Sequence, residues 1–554
     1  MIKRDRRTTL VYIVFACLFI IISFKIVSLQ VFRGQFLKKM AQGQHYRLIR
    51  LAGKRGNIID RKGRVLATDM HYYSVFADPF LVTNPLETAR ILSSKLDLSQ
   101  ELIFRRLKKQ KRFVWIKRKI SLAEKEKVEA LKIEGVGFLR EQKRFYPQEE
   151  LAASVIGIVD IDGKGLEGLE LFYDGYLSGK EGWARVLRDS SSREIVFSSQ
   201  VITPATGADI VLSIDAQIQY WVEESLKKVS LDFDAKRAQA IVMNADNGQI
   251  LAMANYPGFN SNDISGISFD NIKNRAVCDM FEPGSVFKVV TLIAAVNEKA
   301  FNNEDVFFCE NGIFRIPGTV LHDWKPYGDL SFEEVFMKSS NIGVAKIVAS
   351  LGPETYHRYL GRLGLGEITG VDFPGETPGS CKSFRAWSKT SASIVPIGQE
   401  VGVNLLQLVR VFAVVANGGY LVKPQLVTDI CSRGFCDALE DFRKKIIPED
   451  SAQRAKEILI KVVSEGTGLR AAIDGRAIGG KTGTAQKYDS KIGRYSPNRY
   501  RATFVGFVTD SNPPLVIGVT VDEPRKSHFG GVVAAPVFKE IAQKIIKYTE
   551  SSGM

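Results

Sequence analysis

The order of three short motifs constrains this chain more than any other feature of its sequence. Ser285 and Lys288 form a Ser-x-x-Lys pattern, Ser339 and Asn341 form a Ser-x-Asn pattern, and Lys481 begins a Lys-Thr-Gly-Thr run. Each motif alone is weak, because the first should occur about two or three times by chance in a chain of this length. The ordered set is specific, and it requires a fold that brings three distant segments to one site.

Ser285 and Lys288 predict a nucleophile and its base. A serine hydroxyl is a poor nucleophile at neutral pH and needs a base within hydrogen-bond reach. Glu-Pro-Gly before Ser285 and apolar residues at helical spacing over 286–296 predict a helix that starts at Ser285. On a helix the two side chains share one face, near an N-terminus that favours an oxyanion. Lys288 can act as base only if burial or a neighbouring cation, such as Lys481, makes it partly neutral.

The other two motifs predict the remaining parts of the site. Ser339 follows an amphipathic stretch and is predicted to lie on a loop between helices, where its hydroxyl can relay a proton between Lys288 and a leaving amine. Asn341 offers an amide to a substrate backbone. Residues 479–485 predict a strand of small residues that a ligand backbone can approach closely. An extended peptide can add to that strand in antiparallel fashion.

The N-terminus predicts a membrane anchor. A mostly apolar run covers residues 10–32 and would be about 34 Å long as a helix, which is enough to span a bilayer. Basic residues before the run predict a cytoplasmic N-terminus and an external body. No small-residue cleavage site is evident, so the segment is predicted to remain as a single-pass anchor.

The composition fits a large folded protein. The chain has 554 residues, of which 45% are hydrophobic and 25% charged, so it can bury a sizeable core and form two or more domains. Its formal net charge is +15, but the basic residues are scattered and no nucleic-acid motif is present. An anionic membrane or an acidic wall polymer is a better partner than nucleic acid. A generally basic solvated surface explains the charge equally well.

The three motifs together resemble the active-site triplet of the penicillin-binding proteins. Residues 55–67 resemble the RGxIxDRxGxxLA signature of class B of that family, and residues 144–147 and 165–170 resemble its pedestal. The resemblance implies an α/β (α+β) serine acyltransferase sandwich of the penicillin-binding and beta-lactamase type. A single transmembrane helix and a β-rich pedestal domain would precede that sandwich.

The resemblance divides the chain into four parts. These are a cytoplasmic tail at 1–9, a transmembrane anchor at 10–32, a pedestal or dimerisation-like domain at 33–204 and a transpeptidase domain at 205–550. It implies an enzyme of the bacterial cytoplasmic (inner) membrane whose catalytic domain is extracytoplasmic. The region before the pedestal is too short for a glycosyltransferase, so a membrane-embedded glycan polymerase is implied as a partner, together with division proteins.

The implied activity is that of a D,D-transpeptidase that cross-links peptidoglycan stem peptides and is acylated by beta-lactams, with no cofactor and no metal. The resemblance carries the following roles onto this sequence: Ser285, Lys288, Ser339, Asn341 and Lys481 as catalytic residues, and Thr482, Gly483 and Thr484 as substrate-binding residues. It also implies an oxyanion hole formed by the backbone N–H groups of Ser285 and Thr484.

Within class B, the chain resembles the septal (division) type, penicillin-binding protein 3. The resemblance lies in residues 370–376 and in the modest length. An elongation-type transpeptidase is the alternative. The chain departs from the family where Gly-Gln-Gly is often followed by Val-Thr: Glu400 follows Gly-Gln here, and Asn404 follows valine, with Gln407 three residues later. Asparagine still donates and accepts hydrogen bonds, so an altered rim is expected rather than an inactive site.

Three other classes of protein are alternatives to a transpeptidase. A secreted beta-lactamase would carry the same triplet, but the uncleaved anchor and the pedestal argue against it. A carboxypeptidase, which uses water as acceptor, stays open. A non-enzymatic beta-lactam-binding division scaffold should have lost Ser285 or Lys288, and both are present.

The cysteines leave two questions open. Cys431 and Cys436 can close a small disulfide loop in an oxidising exterior, or can be free thiols. Cys309, His322 and Asp323 are conceivable metal ligands, but their spacing matches no firm signature.

Overall fold

A computed structural model describes residues 6–35, 46–51, 53–188, 194–489 and 493–552. The α-helices are α1 (Arg6–Val27), α2 (Pro85–Leu96), α3 (Gln100–Leu107), α4 (Leu122–Glu129), α5 (Ala153–Ile156), α6 (Gly168–Phe172), α7 (Asp174–Leu177), α8 (Ala216–Asp232), α9 (Phe269–Ile272), α10 (Arg275–Cys278), α11 (Lys288–Asn297), α12 (Phe332–Met337), α13 (Asn341–Leu351), α14 (Pro353–Arg362), α15 (Ser391–Ile394), α16 (Leu405–Ala416), α17 (Glu449–Ser464), α18 (Gly530–Val533) and α19 (Ala535–Ser552).

The strands are β1 (Tyr46–Leu51), β2 (Ile58–Ile59), β3 (Val65–Ala77), β4 (Val114–Ile120), β5 (Val136–Phe145), β6 (Ile158–Val159), β7 (Gly165–Glu167), β8 (Gly182–Arg188), β9 (Glu194–Ile202), β10 (Asp209–Leu212), β11 (Arg237–Asn244), β12 (Ile250–Tyr256), β13 (Val306–Phe308), β14 (Ile313–Ile316), β15 (Thr319–His322), β16 (Asp329–Ser331), β17 (Tyr420–Val422), β18 (Val427–Ser432), β19 (Phe435–Ala438), β20 (Arg443–Lys445), β21 (Ile478–Asp489), β22 (Arg494–Val508) and β23 (Leu515–Asp522).

The chain forms two compact units, one of residues 1–54 with 179–206 and one of residues 55–178 with 207–554. The smaller unit contains α1, a π-helical turn (Ser28–Phe32) and a three-stranded antiparallel sheet of order β1-β8-β9. Over Thr8–Val31 its helix is long and apolar enough to cross a membrane, as no other helix among the described residues is. It is compatible with the predicted anchor at 10–32.

The first part of the larger unit is built around a hairpin of β2 and β3. Strands β2 and β3 pair in antiparallel fashion around a turn, in which a carboxylate oxygen of Asp60 accepts hydrogen bonds from the N–H groups of Lys62 (2.9 Å) and Arg64 (2.8 Å). They belong to a seven-stranded sheet of order β19-β18-β10-β2-β3-β4, in which β5 also pairs with β3. The predicted β-rich pedestal is therefore confirmed.

The same sheet continues past the predicted domain boundary at residue 204. Strand β10 pairs in parallel with β2 and in antiparallel fashion with β18. The stretch between 81 and 139 contains α2 to α4, β4 and the start of β5. Basic residues occupy half-buried positions of β4, which conceals its alternating burial in the sequence.

A five-stranded sheet of order β12-β11-β23-β22-β21 forms the centre of the catalytic part. Strand β23 is buried at every position, as a strand with both faces covered should be. Helices α8 and α19 pack on one face through residues such as Val222 and Phe538, and α11, α16 and their neighbours form the apolar layer on the other. This arrangement confirms the predicted α/β sandwich.

The hairpin of β18 and β19 contains the cysteine pair whose state the sequence left open. Cys431 and Cys436 lie opposite each other in the ladder and are joined by a disulfide. Such a bond is expected to persist in an oxidising, extracytoplasmic environment.

Candidate active site

The nucleophile candidate Ser285 lies in a 3₁₀ turn, Gly284–Phe287, that leads directly into α11. The sequence predicted an α-helix that starts at Ser285. The first turn is a 3₁₀ turn instead, but Ser285 does lie at the start of the helix. Lys288 through Val296 are all buried, because α11 is covered on every side. A helix of this kind holds its first turn rigidly.

Strand β21 presses against that 3₁₀ turn. A methyl group added at Gly483 would lie 2.6 Å from a methyl of Val286, and 2.8 Å from the carbonyl oxygen of Pro283. At Gly284, whose φ is +57°, a Cβ would make a tight contact of 3.1 Å with the carbonyl oxygen of Thr484. Small residues are required here for contact between turn and strand, as the Lys-Thr-Gly-Thr pattern predicted.

Two buried lysines converge on the hydroxyl of Ser339. Nζ of Lys481 lies 2.8 Å from Ser339 Oγ, and Nζ of Lys288 lies 3.3 Å from the same oxygen. Lys288 also donates to the carbonyl oxygen of Ser339 (2.6 Å) and to Oδ1 of Asn341 (2.7 Å). The structure therefore brings together four of the predicted residues through direct contacts.

Burial controls the charge of both lysines. It lowers the pKa of Lys288 to about 7, because an ammonium deprived of water is destabilised. It also lowers the pKa of Lys481 well below the ordinary lysine value, and the nearby charge of Lys288 lowers it further. The requirement that Lys288 be partly neutral is thus met mainly by desolvation, whereas the sequence suggested the Lys481 cation as an alternative cause.

The loop that carries Ser339 is held by Asp323. Oδ1 of Asp323 accepts from the N–H groups of Asn341 (2.5 Å) and Ile342 (3.2 Å), and Oδ2 accepts from the hydroxyl of Ser340 (2.6 Å). Ser339 has φ +59°, a conformation that a non-glycine residue adopts only when its surroundings enforce it. Asp323 supplies part of that enforcement at the start of α13.

Asp323 thus supports the Ser339 loop, and its two conceivable metal-binding partners, Cys309 and His322, also contact this loop. The Cys309 sulfur lies 3.3 Å from the Ser340 hydroxyl oxygen, and His322 contributes its backbone carbonyl oxygen, which accepts from the Asn341 side-chain amide (2.7 Å). The described residues contain no cluster of three or more side chains placed to bind a metal. Sequence reasoning missed the role of Asp323 because no local pattern links it to Ser340.

The hydroxyls of the Lys-Thr-Gly-Thr strand have partners that the sequence did not indicate. Thr482 Oγ1 lies 3.2 Å from the hydroxyl oxygen of Thr467, and Thr484 Oγ1 accepts a hydrogen bond from the N–H of Gly530 (3.1 Å). Both partners come from distant segments of the chain. They fix the two threonine side chains beside Ser285.

A cleft of about 350 Å³ lies along the part of β21 that follows the Lys-Thr-Gly-Thr run. Its lining includes Glu282, Glu400, Ala485, Gln486, Tyr488 and Arg501. Glu282 accepts from the Tyr495 hydroxyl (3.0 Å) and the Glu400 N–H (3.0 Å), and burial raises the pKa of Glu282. The cleft offers a side-chain pocket to a peptide lying on β21.

The departures from the family pattern separate into two kinds. Glu400, at φ +54°, lines the cleft, where an altered rim was expected. Asn404 is fully buried and caps α16, where its side chain and that of Gln407 each accept from the other residue's N–H (2.8 and 3.0 Å). Asn404 is therefore a structural cap, and the expectation of an altered rim applies to Glu400 alone.

Comparisons with known proteins agree with this geometry. Residues 238–543 match the family model of the penicillin-binding protein transpeptidase domain, and residues 50–212 match that of the penicillin-binding protein dimerisation domain. The chain is 34% identical to the probable peptidoglycan D,D-transpeptidase PbpC of Pseudomonas aeruginosa, over 97% of this chain and 94% of that protein. It is 32% identical to stage V sporulation protein D of Bacillus subtilis, over 94% of this chain and 82% of that protein.

A solved structure shows the same architecture. Penicillin-binding protein 3 of Mycobacterium tuberculosis, complexed with aztreonam, superposes with a TM-score of 0.71 at 27% identity, covering 91% of this chain and 97% of that one. These matches confirm the predicted family and the predicted transpeptidase class of enzyme. The chain therefore belongs to the class B penicillin-binding proteins and carries their transpeptidase domain.

Proposed function

We propose that this protein is a peptidoglycan D,D-transpeptidase that cross-links stem peptides through an acyl-enzyme on Ser285. The observation that carries the proposal is the meeting of two buried lysines at Ser339, beside the turn that holds Ser285. A neutral lysine amine keeps two N–H donors and gains one free lone pair. Lys288 can thus retain its bonds to the Ser339 carbonyl and to Asn341 while it accepts the Ser285 proton.

The acylation step follows from these positions. Ser285 Oγ attacks the carbonyl carbon of the penultimate D-Ala, and Lys288 takes the hydroxyl proton. The N–H groups of Ser285 and Thr484 stabilise the oxyanion. The peptide C–N bond then breaks, and the departing D-Ala amine receives a proton through Ser339, whose hydroxyl contacts both lysines.

The Lys-Thr-Gly-Thr strand binds the substrate. The leaving D-Ala carries a carboxylate, which accepts hydrogen bonds from the Lys481 amine and from the hydroxyls of Thr482 and Thr484. The donor peptide adds to β21 as an antiparallel strand, with Gly483 allowing close approach. Beta-lactams carry a comparable carboxylate and acylate Ser285, which blocks the site.

The cellular placement is also proposed here. The N-terminal helix anchors the protein in the cytoplasmic membrane as a single pass, with its N-terminus inside and the catalytic domain outside. The resemblance of residues 370–376 to the septal type supports action at the division site beside a membrane-embedded glycan polymerase and division proteins. A fluorescent fusion concentrated at midcell would support this role, and one distributed along the lateral wall would indicate an elongation-type enzyme instead.

The acyl-enzyme is tested by the mass of the full-length protein in detergent after a beta-lactam is added, with Ser285→Ala alongside. The proposal expects a stable increase by the mass of the drug in the wild type and none in the variant. A rapid return to the free mass would indicate a beta-lactamase. No adduct in either protein would refute the catalytic proposal and leave a scaffold.

A further inference from the structure

The acceptor peptide has to approach Ser285 from a defined side. Resolution of the acyl-enzyme reverses the geometry of leaving-group departure, because the incoming amine occupies the place that the D-Ala amine left. That amine must therefore lie within hydrogen-bond reach of Ser339, the residue that handles its proton. With the donor on β21, as proposed above, the acceptor chain must extend over the surface beside Ser339.

An exposed aromatic side chain lies at that surface. Nε1 of Trp324 donates to the carbonyl oxygen of Lys338 (2.9 Å), the residue immediately before Ser339. The indole remains 59% exposed, although it follows directly after Asp323, which fixes the Ser339 loop. Its position is thus set by the active-site loop, while more than half of its surface is open to solvent.

The surroundings of the indole are cationic and aromatic. Lys325 Nζ lies 4.5 Å from the Trp324 ring, and Tyr327 meets the indole edge-to-face at 6.4 Å between centroids. Lys325 is exposed and has no carboxylate within salt-bridge distance among residues 53–188, 194–489 and 493–552. Lys338 lies 5.9 Å over the Tyr327 ring and pairs with Glu334 (2.7 Å).

We propose that Trp324, Lys325 and Tyr327 form a platform that binds the acceptor stem peptide and positions its amine at the acyl-Ser285 ester. The proposal rests on the transpeptidase function proposed above and assigns a binding site to the second substrate of that reaction, the acceptor peptide. A stem peptide carries carboxylates, which complement the free Lys325 cation, and an extended backbone, which packs on the flat indole. Tryptophan is well suited to such an anchor because it gives a large rigid contact at little entropic cost.

The step served by the platform is aminolysis. The acceptor nitrogen forms the new amide bond to the acyl carbon, the ester C–Oγ bond of Ser285 breaks, and the proton lost by the amine passes through Ser339 and Lys288 to Ser285 Oγ. Water can perform the competing hydrolysis without any platform. The ratio of aminolysis to hydrolysis therefore reports acceptor binding separately from acylation.

The test uses the full-length protein in detergent, a D-Ala thioester donor and two acceptors: a stem tetrapeptide with a free side-chain amine, and free D-alanine. Mass spectrometry separates the aminolysis and hydrolysis products. In Trp324→Ala the aminolysis-to-hydrolysis ratio with the tetrapeptide should fall at least tenfold more than the acylation rate does. With free D-alanine, which is too small to reach the platform, the ratio should change less than twofold.

Three further variants separate a binding surface from a structural role. Trp324→Phe loses the hydrogen bond to Lys338 but keeps an aromatic face, so it should retain at least a third of the tetrapeptide ratio. Phe269→Ala removes a comparably exposed aromatic ring on α9 and should leave both ratios at the wild-type value. Lys325→Gln should raise the tetrapeptide concentration for half-saturation severalfold, and added salt should reduce that difference.

The outcomes that refute the platform are specific. An unchanged tetrapeptide ratio in Trp324→Ala would refute it, as would an equal fall in acylation and aminolysis, which would show that the indole only supports the Ser339 loop. A wild-type protein that forms no acyl-enzyme would refute the proposed function as well. An acylating wild type with an unaffected Trp324→Ala ratio would refute the platform alone.

Discussion

At the scale of single residues, Lys288 links burial to reactivity. Its pKa is lowered to about 7, so the neutral amine that accepts the Ser285 proton increases as the pH rises through that value. We expect the second-order rate constant of acylation by a beta-lactam to rise about tenfold per pH unit below pH 7 and to level off above it. Stopped-flow acylation over a range of buffers checks this. A profile that rises without a plateau up to the ordinary lysine value of 10.5 would contradict it.

Asp323 is a second residue whose effect can be measured. Asp323→Ala leaves the Ser340 hydroxyl and the Asn341 N–H without their acceptor, each at a cost of about 1–3 kcal/mol if it stays buried. We expect a lower free energy of unfolding and acylation slowed by about tenfold or more, because the Ser339 loop loses its support. Asp329→Asn, at an exposed position nearby in sequence, is the control. Unchanged acylation in Asp323→Ala would show that the loop holds its shape without this carboxylate.

At the scale of elements, the contact between β21 and the Ser285 turn governs the site. A methyl group at Gly483 would overlap Val286 at 2.6 Å, so Gly483→Ala must displace the strand from the turn. We expect acylation to fall about a hundredfold or more, since a misplacement on the order of 1 Å at a catalytic centre has effects of that size. The rate of acylation of the purified variant by a beta-lactam is the measurement.

The matched control for that change is Gly361→Ala in helix α14, where an added methyl group meets nothing within 4 Å. It should leave acylation unchanged and raise stability by up to about 1 kcal/mol, because alanine is the better helix former. Similar losses of activity in both variants would exclude the steric explanation for Gly483.

Short-range sequence patterns predicted the secondary-structure elements well, but they did not predict the long-range contacts. The helix after Ser285 and the small-residue strand at 479–485 both follow from local spacing. Asp323, Thr467 and Gly530 reach the site from distant segments, and nothing beside them in the sequence indicates their partners. The position of Trp324 beside Ser339 was not predicted for the same reason, since it depends on a contact made by the fold.

At the scale of the whole molecule, a buried ionic cluster holds Arg55, the first residue of the class B signature. Nε of Arg55 and Nε of Arg144 each lie 2.6 Å from an oxygen of Glu170, and all three side chains are at most 5% exposed. Glu170→Gln would leave two buried guanidinium groups without their shared anion. We expect a loss of about 3–5 kcal/mol in the free energy of unfolding, measured by denaturant titration of the full-length protein.

The control for this prediction is Glu87→Gln, which removes an exposed partner of Arg90 on α2. Exposed ion pairs contribute little, so its unfolding curve should coincide with that of the wild type. If Glu170→Gln unfolds at the same denaturant concentration as Glu87→Gln, the cluster does not hold the pedestal together.

The parallel pairing of β10 with β2 has a consequence for dissecting the molecule. A chain begun at residue 205 would keep β10 but lose the strand on one side of it, and so would present a bare row of backbone donors and acceptors. Such an open edge is a template for intermolecular pairing. The catalytic domain, expressed without its pedestal, should therefore self-associate in solution. In the full-length chain, the pedestal covers this edge and so protects the catalytic domain from aggregation.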